Sequence, residues 1–356
     1  MAIKKNILVV DDSALLRRYI CDIINSDNLL QATDVSRDGV EAYEYLKSRK
    51  YDAMLLDVNM PRMDGLQLLE KIQQERIKIT VIMVSSLTKK DSSATIKAME
   101  LGAADFITKP QNQIGGKNEQ FEKSLLSILH GLLRLPALES ESAQNAFVAP
   151  KGKATLLKRR GLANSKLVAI ASSTGGPKSL QSVIPHLPAN LDAPVLLVQH
   201  MPAGFTKSMA DRLNEISKIK VKEAEEGDVL QKGWLYVAPG GYHMEVSRGV
   251  GGEHKIRLNQ KPQVLGLRPY ANYTYESLKT SSFDEVTCVV LTGMGADGTA
   301  GICTLGKRKP VYVITQDEAS SVVYGMPKAA AEAGISDEVV PLTQVAQSIT
   351  KNVGVG

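Results

Sequence analysis

Ile7-Leu8-Val9-Val10-Asp11-Asp12 is the stretch on which the reading of the fold turns. A short apolar run, mostly branched, that stops abruptly on two carboxylates reads as a buried strand ending at the carboxyl edge of a parallel sheet. Runs of the same kind recur at 29–35, 53–56, 80–84 and 106–108. Between them, 15–25, 39–47, 66–74 and 92–101 carry apolar residues at helical spacing. This alternation predicts an α/β unit, a doubly wound parallel (βα)5 sheet with helices on both faces. Ligands of such a sheet bind outside the carboxyl ends of its strands.

Asp57 follows the third run as Asp11 and Asp12 follow the first, so the sheet edge gathers three carboxylates. Any one of them alone would read as a helix cap or a turn residue. Together they repel one another unless a cation neutralises them, and an all-oxygen site of this kind suits Mg2+. Ser85 ends the fourth run and Lys109 the fifth, which offers a hydroxyl and a positive charge to a phosphoryl oxygen. Phosphoryl transfer needs little beyond such positioning and charge neutralisation.

The alternation breaks at 111–165. Residues 111–117 read as a loop, 119–135 as an amphipathic helix, and 136–165 as a flexible linker holding the basic run Lys158-Arg159-Arg160. That run is either a solvated face or a contact for an acidic surface. The expected division is 1–118, a linker at 119–165, and a second unit at 166–352. The second unit resumes the α/β pattern with strands at 167–171, 195–199, 287–291 and 312–315. A glycine-rich hairpin region is expected near 219–260, inserted into a Rossmann-like parallel core.

The first strand of this unit runs into Ser172-Ser173-Thr174-Gly175-Gly176-Pro177 and then a helix, which Pro177 suits as an opening residue. A serine at that turn faces free backbone N–H groups able to stabilise an oxyanion. A phosphate-binding turn is the alternative, although the lysine of the P-loop is missing. His200 directly follows the strand at 195–199 and so reaches the same edge as Ser173; His243 is its rival. His130, His186 and His254 read as surface residues. Asp297, in the glycine-rich turn 291–298, can orient a histidine.

Composition narrows the function further. Basic and acidic side chains number 16 and 16 over residues 1–110, 8 and 4 over 111–165, and 19 and 18 over 166–356, so neither unit has the basic face of a DNA-binding domain. No apolar run reaches the ~18 residues of a membrane span and no signal peptide is legible, which leads us to expect a cytoplasmic protein without membrane insertion. Cys21, Cys288 and Cys303 have no pairing or metal-ligand spacing and are expected to be small buried side chains.

Residues 4–110 resemble the response-regulator receiver domain, and 166 to about 350 resemble the catalytic domain of the CheB methylesterase family. The second resemblance rests on Ser173-Thr174-Gly175-Gly176, Gln199-His200-Met201-Pro202 with Gly204-Phe205, Val237-Ala238-Pro239-Gly240 and the stretch 291–298. The receiver resemblance implies that Asp57 accepts a phosphoryl group from a sensor histidine kinase of the CheA type. It implies that Asp12, Asp57 and the carbonyl of Asn59 hold Mg2+, with Asp11 acting through water. Ser85 matches the switch hydroxyl, Lys109 the phosphate lysine and Phe106 the aromatic switch position. The esterase resemblance implies Ser173 as nucleophile, His200 as general base and Asp297 as its orienter, with Thr174 and Met294 lending backbone N–H groups to the oxyanion. It further implies removal of methyl esters from glutamates of methyl-accepting chemotaxis receptors, deamidation of receptor glutamines, and ester chemistry without a metal. A competing expectation is a non-catalytic, receptor-binding response regulator or phosphate sink. Two positions depart from the family pattern. Ala171 stands where the family has Gly, and Arg268-Pro269-Tyr270-Ala271-Asn272 stands for Arg-Pro-Ser-Val-Asp, a departure that bears on the receptor substrate, not the chemistry, if that stretch lines the substrate cleft.

Overall fold

The computed structural model describes residues 4–110, 118–136, 156–158, 165–249 and 251–356. The chain divides into two compact units, Met1–Glu139 and Ser140–Gly356.

In the first unit the strands β1 (Lys5–Val10), β2 (Leu30–Ser36), β3 (Ala53–Asp57), β4 (Thr80–Ser85) and β5 (Asp105–Thr108) pair in parallel in the order β2-β1-β3-β4-β5. The helices are α1 (Ala14–Ser26), α2 (Gly39–Ser48), α3 (Gly65–Gln74), α4 (Lys89–Glu100) and α5 (Glu119–Leu132). Each opens on a side chain that accepts a helix N–H: Ser13, Asp38, Asp64, Thr88 and Asn118. The flavodoxin-like winding follows, with Ile7, Val9, Leu55, Ile82 and Val84 in one core.

The helix expected at the start of the linker, over 119–135, is α5, and it seats Phe121, Leu125 and Leu129 in that same core. Their spacing puts all three on one face, and burying each contributes about 1.5–3 kcal/mol, enough to dock the helix. His130, expected at the surface, is a correction. The ring is 5% exposed, with Nε2 at 2.9 Å from Asp27 Oδ2 and Nδ1 at 2.6 Å from Pro136 O.

In the second unit seven parallel strands run in the order β14-β13-β12-β6-β7-β9-β8. They are β6 (Lys166–Ser172), β7 (Val195–Gln199), β8 (Lys220–Glu223), β9 (Trp234–Val237), β12 (Glu285–Val290), β13 (Val311–Gln316) and β14 (Glu338–Val340). The hairpin region is narrower than expected. β8 and β9 join the main sheet in parallel, and among the described strands β10 (His243–Arg248) and β11 (His254–Asn259) form the antiparallel pair. The helices are α6 (Gly176–Val183), α7 (Phe205–Ile216), α8 (Ala271–Ser277), α9 (Thr299–Gly306), α10 (Met326–Glu332) and α11 (Leu342–Val353).

Most of the expected linker, Arg159-Arg160 included, lies outside the described residues, as does the expected loop at 111–117. Its described piece is fastened to the second unit. Leu156 enters the core, Leu157 N–H donates to Gly306 O, and Lys158 pairs with Asp337 at 2.5 Å. Cys288 and Cys303 are buried; Cys21 is only partly so.

Candidate active site

β6 lies between β12 and β7, so three neighbouring strand ends deliver the second constellation to one edge. Ser173 leaves β6, His200 leaves β7, and Asp297 sits in the turn after β12. Backbone bonds lock the three exits together: His200 N–H donates to Ser172 O at 3.1 Å and Ser173 N–H to Thr292 O at 3.0 Å. Gly175 then takes φ 74° as the residue that opens α6, a left-handed conformation that disfavours any Cβ. Gly293 is needed for space, since a Cβ there would lie 2.8 Å from Ser173 Cβ.

His200 Nε2 is 2.8 Å from Asp297 Oδ2, and both side chains are almost fully buried. This bond keeps the proton on Nε2 and leaves the Nδ1 lone pair as the basic atom of the ring. Asp297 is held from every side. Oδ2 also accepts Ala271 N–H at 2.7 Å, while Oδ1 accepts Asn272 N–H at 3.0 Å and Gly298 N–H at 2.8 Å. Four donors on two oxygens fix the orientation of the carboxylate toward the imidazole.

The stretch 270–272 lies under the site. Tyr270, Ala271 and Asn272 are at most 2% exposed, and the N–H groups of Ala271 and Asn272 pin Asp297. Asn272 Oδ1 accepts from Gly298 and Gly301 at the start of α9, and its Nδ2 donates to Tyr270 at 2.8 Å. Burial, helped by the Asp297 charge, pushes the Tyr270 phenol up to about 12, so it stays neutral. Ala171 is buried beneath the site, where its methyl is accommodated.

Gln199 was missed. Its Oε1 accepts Ser172 Oγ at 2.7 Å, and its Nε2 donates to Ser173 O and His200 O at 2.9 and 3.2 Å. It clamps the serine turn to the histidine turn, and a lone amide closing an apolar strand was the available signal. Among the described residues Ser173 Oγ makes no hydrogen bond, whereas the Ser172 hydroxyl is buried and engaged. His243 is not part of the group: it is fully buried, its Nε2 is 3.2 Å from Pro262 O, and its ring packs edge-on to Tyr273. His254 stacks on Phe283, and only His186 is exposed as expected.

On the first sheet, Asp11, Asp57, Ser85 and Lys109 stand at the ends of adjacent strands β1, β3, β4 and β5. Lys109 Nζ is 2.8 Å from both Asp11 Oδ2 and Asp57 Oδ2. Burial, then the Asp11 charge, raises Asp57 to about 6, against the pull of Lys109 and the Asn59 N–H. Burial works to lower Lys109, but its two carboxylate partners outweigh it and the ammonium is held above its ordinary value. Ligand oxygens of Asp11, Asp12 and Asp57 lie within 4.8 Å of one another, a donor set that fits a hard divalent cation. Phe106 is buried in β5.

A receiver-type sheet with an acidic pocket, joined in one chain to a parallel-sheet unit bearing a Ser–His–Asp array, defines an effector-bearing response regulator. Residues 7–115 match the model of the response regulator receiver domain, and 168–349 match that of the CheB methylesterase. A protein-glutamate methylesterase/protein-glutamine glutaminase of Pyrococcus horikoshii is 44% identical over 99% of this chain and 95% of its own length. A protein of the same description from Syntrophomonas wolfei is 40% identical over 97% and 98%. The crystal structure of the Thermotoga maritima CheB methylesterase catalytic domain is 39% identical, covering 53% of this chain and 100% of that one with a TM-score of 0.51. The chain belongs to the CheB methylesterase family. Among the described residues no helix is long and apolar enough to cross a membrane.

Proposed function

We propose that this chain is a phosphorylation-controlled protein-glutamate methylesterase and protein-glutamine glutaminase acting on methyl-accepting chemotaxis receptors in the cytoplasm. The observation that carries the reading is the His200–Asp297 bond at 2.8 Å on the same sheet edge as Ser173, whose hydroxyl makes no hydrogen bond with a described residue. Ser173 Oγ attacks the γ-carbonyl of the glutamyl ester while His200 Nδ1 takes its proton. The tetrahedral oxyanion faces the N–H groups of Thr174 and Met294. Protonated His200 then gives the proton to the leaving methoxide, and methanol departs. Water, deprotonated by His200, hydrolyses the acyl-enzyme to glutamate. A glutamine side chain passes through the same oxyanion and releases ammonia. None of these steps calls on a metal.

The working division is a receiver at 1–118 extended by α5, a linker, and an esterase domain at 166–352. Asp57 is the phosphoacceptor, charged by a sensor histidine kinase of the CheA type. Asp11, Asp12, Asp57 and the carbonyl of Asn59 would hold Mg2+, which would neutralise the incoming phosphoryl charge; Lys109, Ser85 and Phe106 are the phosphate and switch residues. Methanol release from a methylated receptor should rise by about 5- to 150-fold on adding acetyl phosphate, and not at all in Asp57→Asn. A chain that releases no methanol under either condition would sink the reading.

The carboxyl of Asp57 also dictates a pH dependence. Its folded value of about 6 lies above the ordinary 3.8, so the stability it contributes is complete below that ordinary value and lost as pH rises through about 6. Mg2+ should therefore raise the melting temperature more at about pH 7.5 than at about pH 5, where protons compete for the same oxygens. In Asp57→Asn this difference should largely vanish. Equal Mg2+ shifts at both pH values in the unaltered chain would count against the assignment.

A further inference from the structure

The Ser85 hydroxyl is engaged away from Asp57. Its Oγ lies 2.7 Å from Thr95 Oγ1 on α4, and both residues are fully buried. Thr95 Oγ1 is also 2.7 Å from the carbonyl of Asp91, one turn earlier in the helix. A hydroxyl has one proton, and a carbonyl has none to offer. The Thr95 proton therefore goes to Asp91 O, and the proton between the two hydroxyls comes from Ser85. The other acceptor near Ser85, Ser86 O, stands at the long limit of 3.4 Å. At the far end Asp91, 5% exposed in the first turn of α4, accepts from Asn59 Nδ2 at 2.6 Å. The chain of bonds thus runs Asn59–Asp91–Thr95–Ser85, beginning two residues after Asp57 and ending at the strand next to it.

We infer that Thr95 is a positioning residue for phosphoryl capture: it holds the Ser85 hydroxyl on α4, so that a phosphoryl group on Asp57 gains Ser85 only by freeing the first two turns of that helix. The inference rests on the reading of Asp57 as phosphoacceptor and Ser85 as its hydroxyl partner. Two arrangements of one hydrogen bond compete, which makes the element two-state, and the anion supplies the differential affinity. Removing the resting partner shifts the balance toward the captured state. Thr95→Val keeps the branched shape and deletes the hydroxyl; Thr95→Ser keeps the hydroxyl.

The test is a titration of the full chain with beryllofluoride and Mg2+, followed by the fluorine NMR signal of the bound anion. Thr95→Val should bind about three- to tenfold more tightly than the unaltered chain, the range of one modest buried hydrogen bond, and Thr95→Ser should match the unaltered chain. Equal or weaker binding by Thr95→Val overturns the inference. In a Ser85→Ala background the gain should disappear, and a gain that persists overturns it as well. Hydrogen exchange of the unaltered chain needs no variant to fold: residues 89–96 should lose protection when beryllofluoride binds, and unchanged protection contradicts the release. If the unaltered chain takes up no beryllofluoride, or Asp57→Asn takes it up equally, the phosphoacceptor reading itself fails and this inference with it.

Discussion

Ser173→Ala should lower methanol release from a methylated receptor by about 10^4- to 10^6-fold while leaving the fold intact. The size follows from the absence of a substitute. The neighbouring Ser172 hydroxyl is buried and bonded to Gln199 Oε1 at 2.7 Å, so it cannot reach the substrate without breaking the clamp that aligns both turns. Stability should change by no more than about 0.5 kcal/mol, because Ser173 Oγ makes no hydrogen bond with a described residue. A thermal melt run beside the methanol assay separates lost chemistry from lost structure. Substantial activity in a folded variant would rule out Ser173 as the nucleophile. The non-catalytic alternative predicts no methanol from either chain and no covalent labelling of Ser173 by a serine-reactive phosphonate.

Asp297→Asn should cost about 10^3- to 10^4-fold in turnover, and its mechanism differs. Both carboxylate oxygens accept from N–H groups: Oδ2 from His200 and Ala271, Oδ1 from Asn272 and Gly298. A carboxamide has one oxygen, so either orientation aims an NH2 at two donors. If the NH2 faces His200, the imidazole must move its proton to Nδ1 and loses the lone pair that Ser173 requires. If it faces the backbone, two buried N–H groups lose their acceptor, at about 1–3 kcal/mol each. The variant should therefore be both slow and less stable, unlike Ser173→Ala. Nitrogen NMR of the His200 ring would reveal the tautomer, and an Nε2-protonated ring with normal turnover would remove Asp297 from the mechanism.

Much of this was legible in the chain because strand ends announce themselves. An apolar run that stops on Asp11, Asp57, Ser173 or His200 places that residue on the sheet edge once the sheet is known to be parallel. Side-chain burial was less legible. His130 sits on a helix that sequence alone gave to the linker, and its place in a core depended on Phe121, Leu125 and Leu129 meeting residues about a hundred positions earlier. The same limit hid the part played by 271–272: their backbone N–H groups do the holding, and a backbone group carries no sequence signal.

Sequence by itself determined the two doubly wound units, the order of strand-end residues and the chemistry each residue could offer, because periodicity and side-chain type are local properties. Only the tertiary structure decided which partners those residues take. It set Asp297 under four donors, put Gln199 across two turns, tied Ser85 to Thr95 and docked α5 on the first sheet. Each of those depends on distances between segments far apart in the chain, and hydrogen-bond direction and burial exist only once the segments have met.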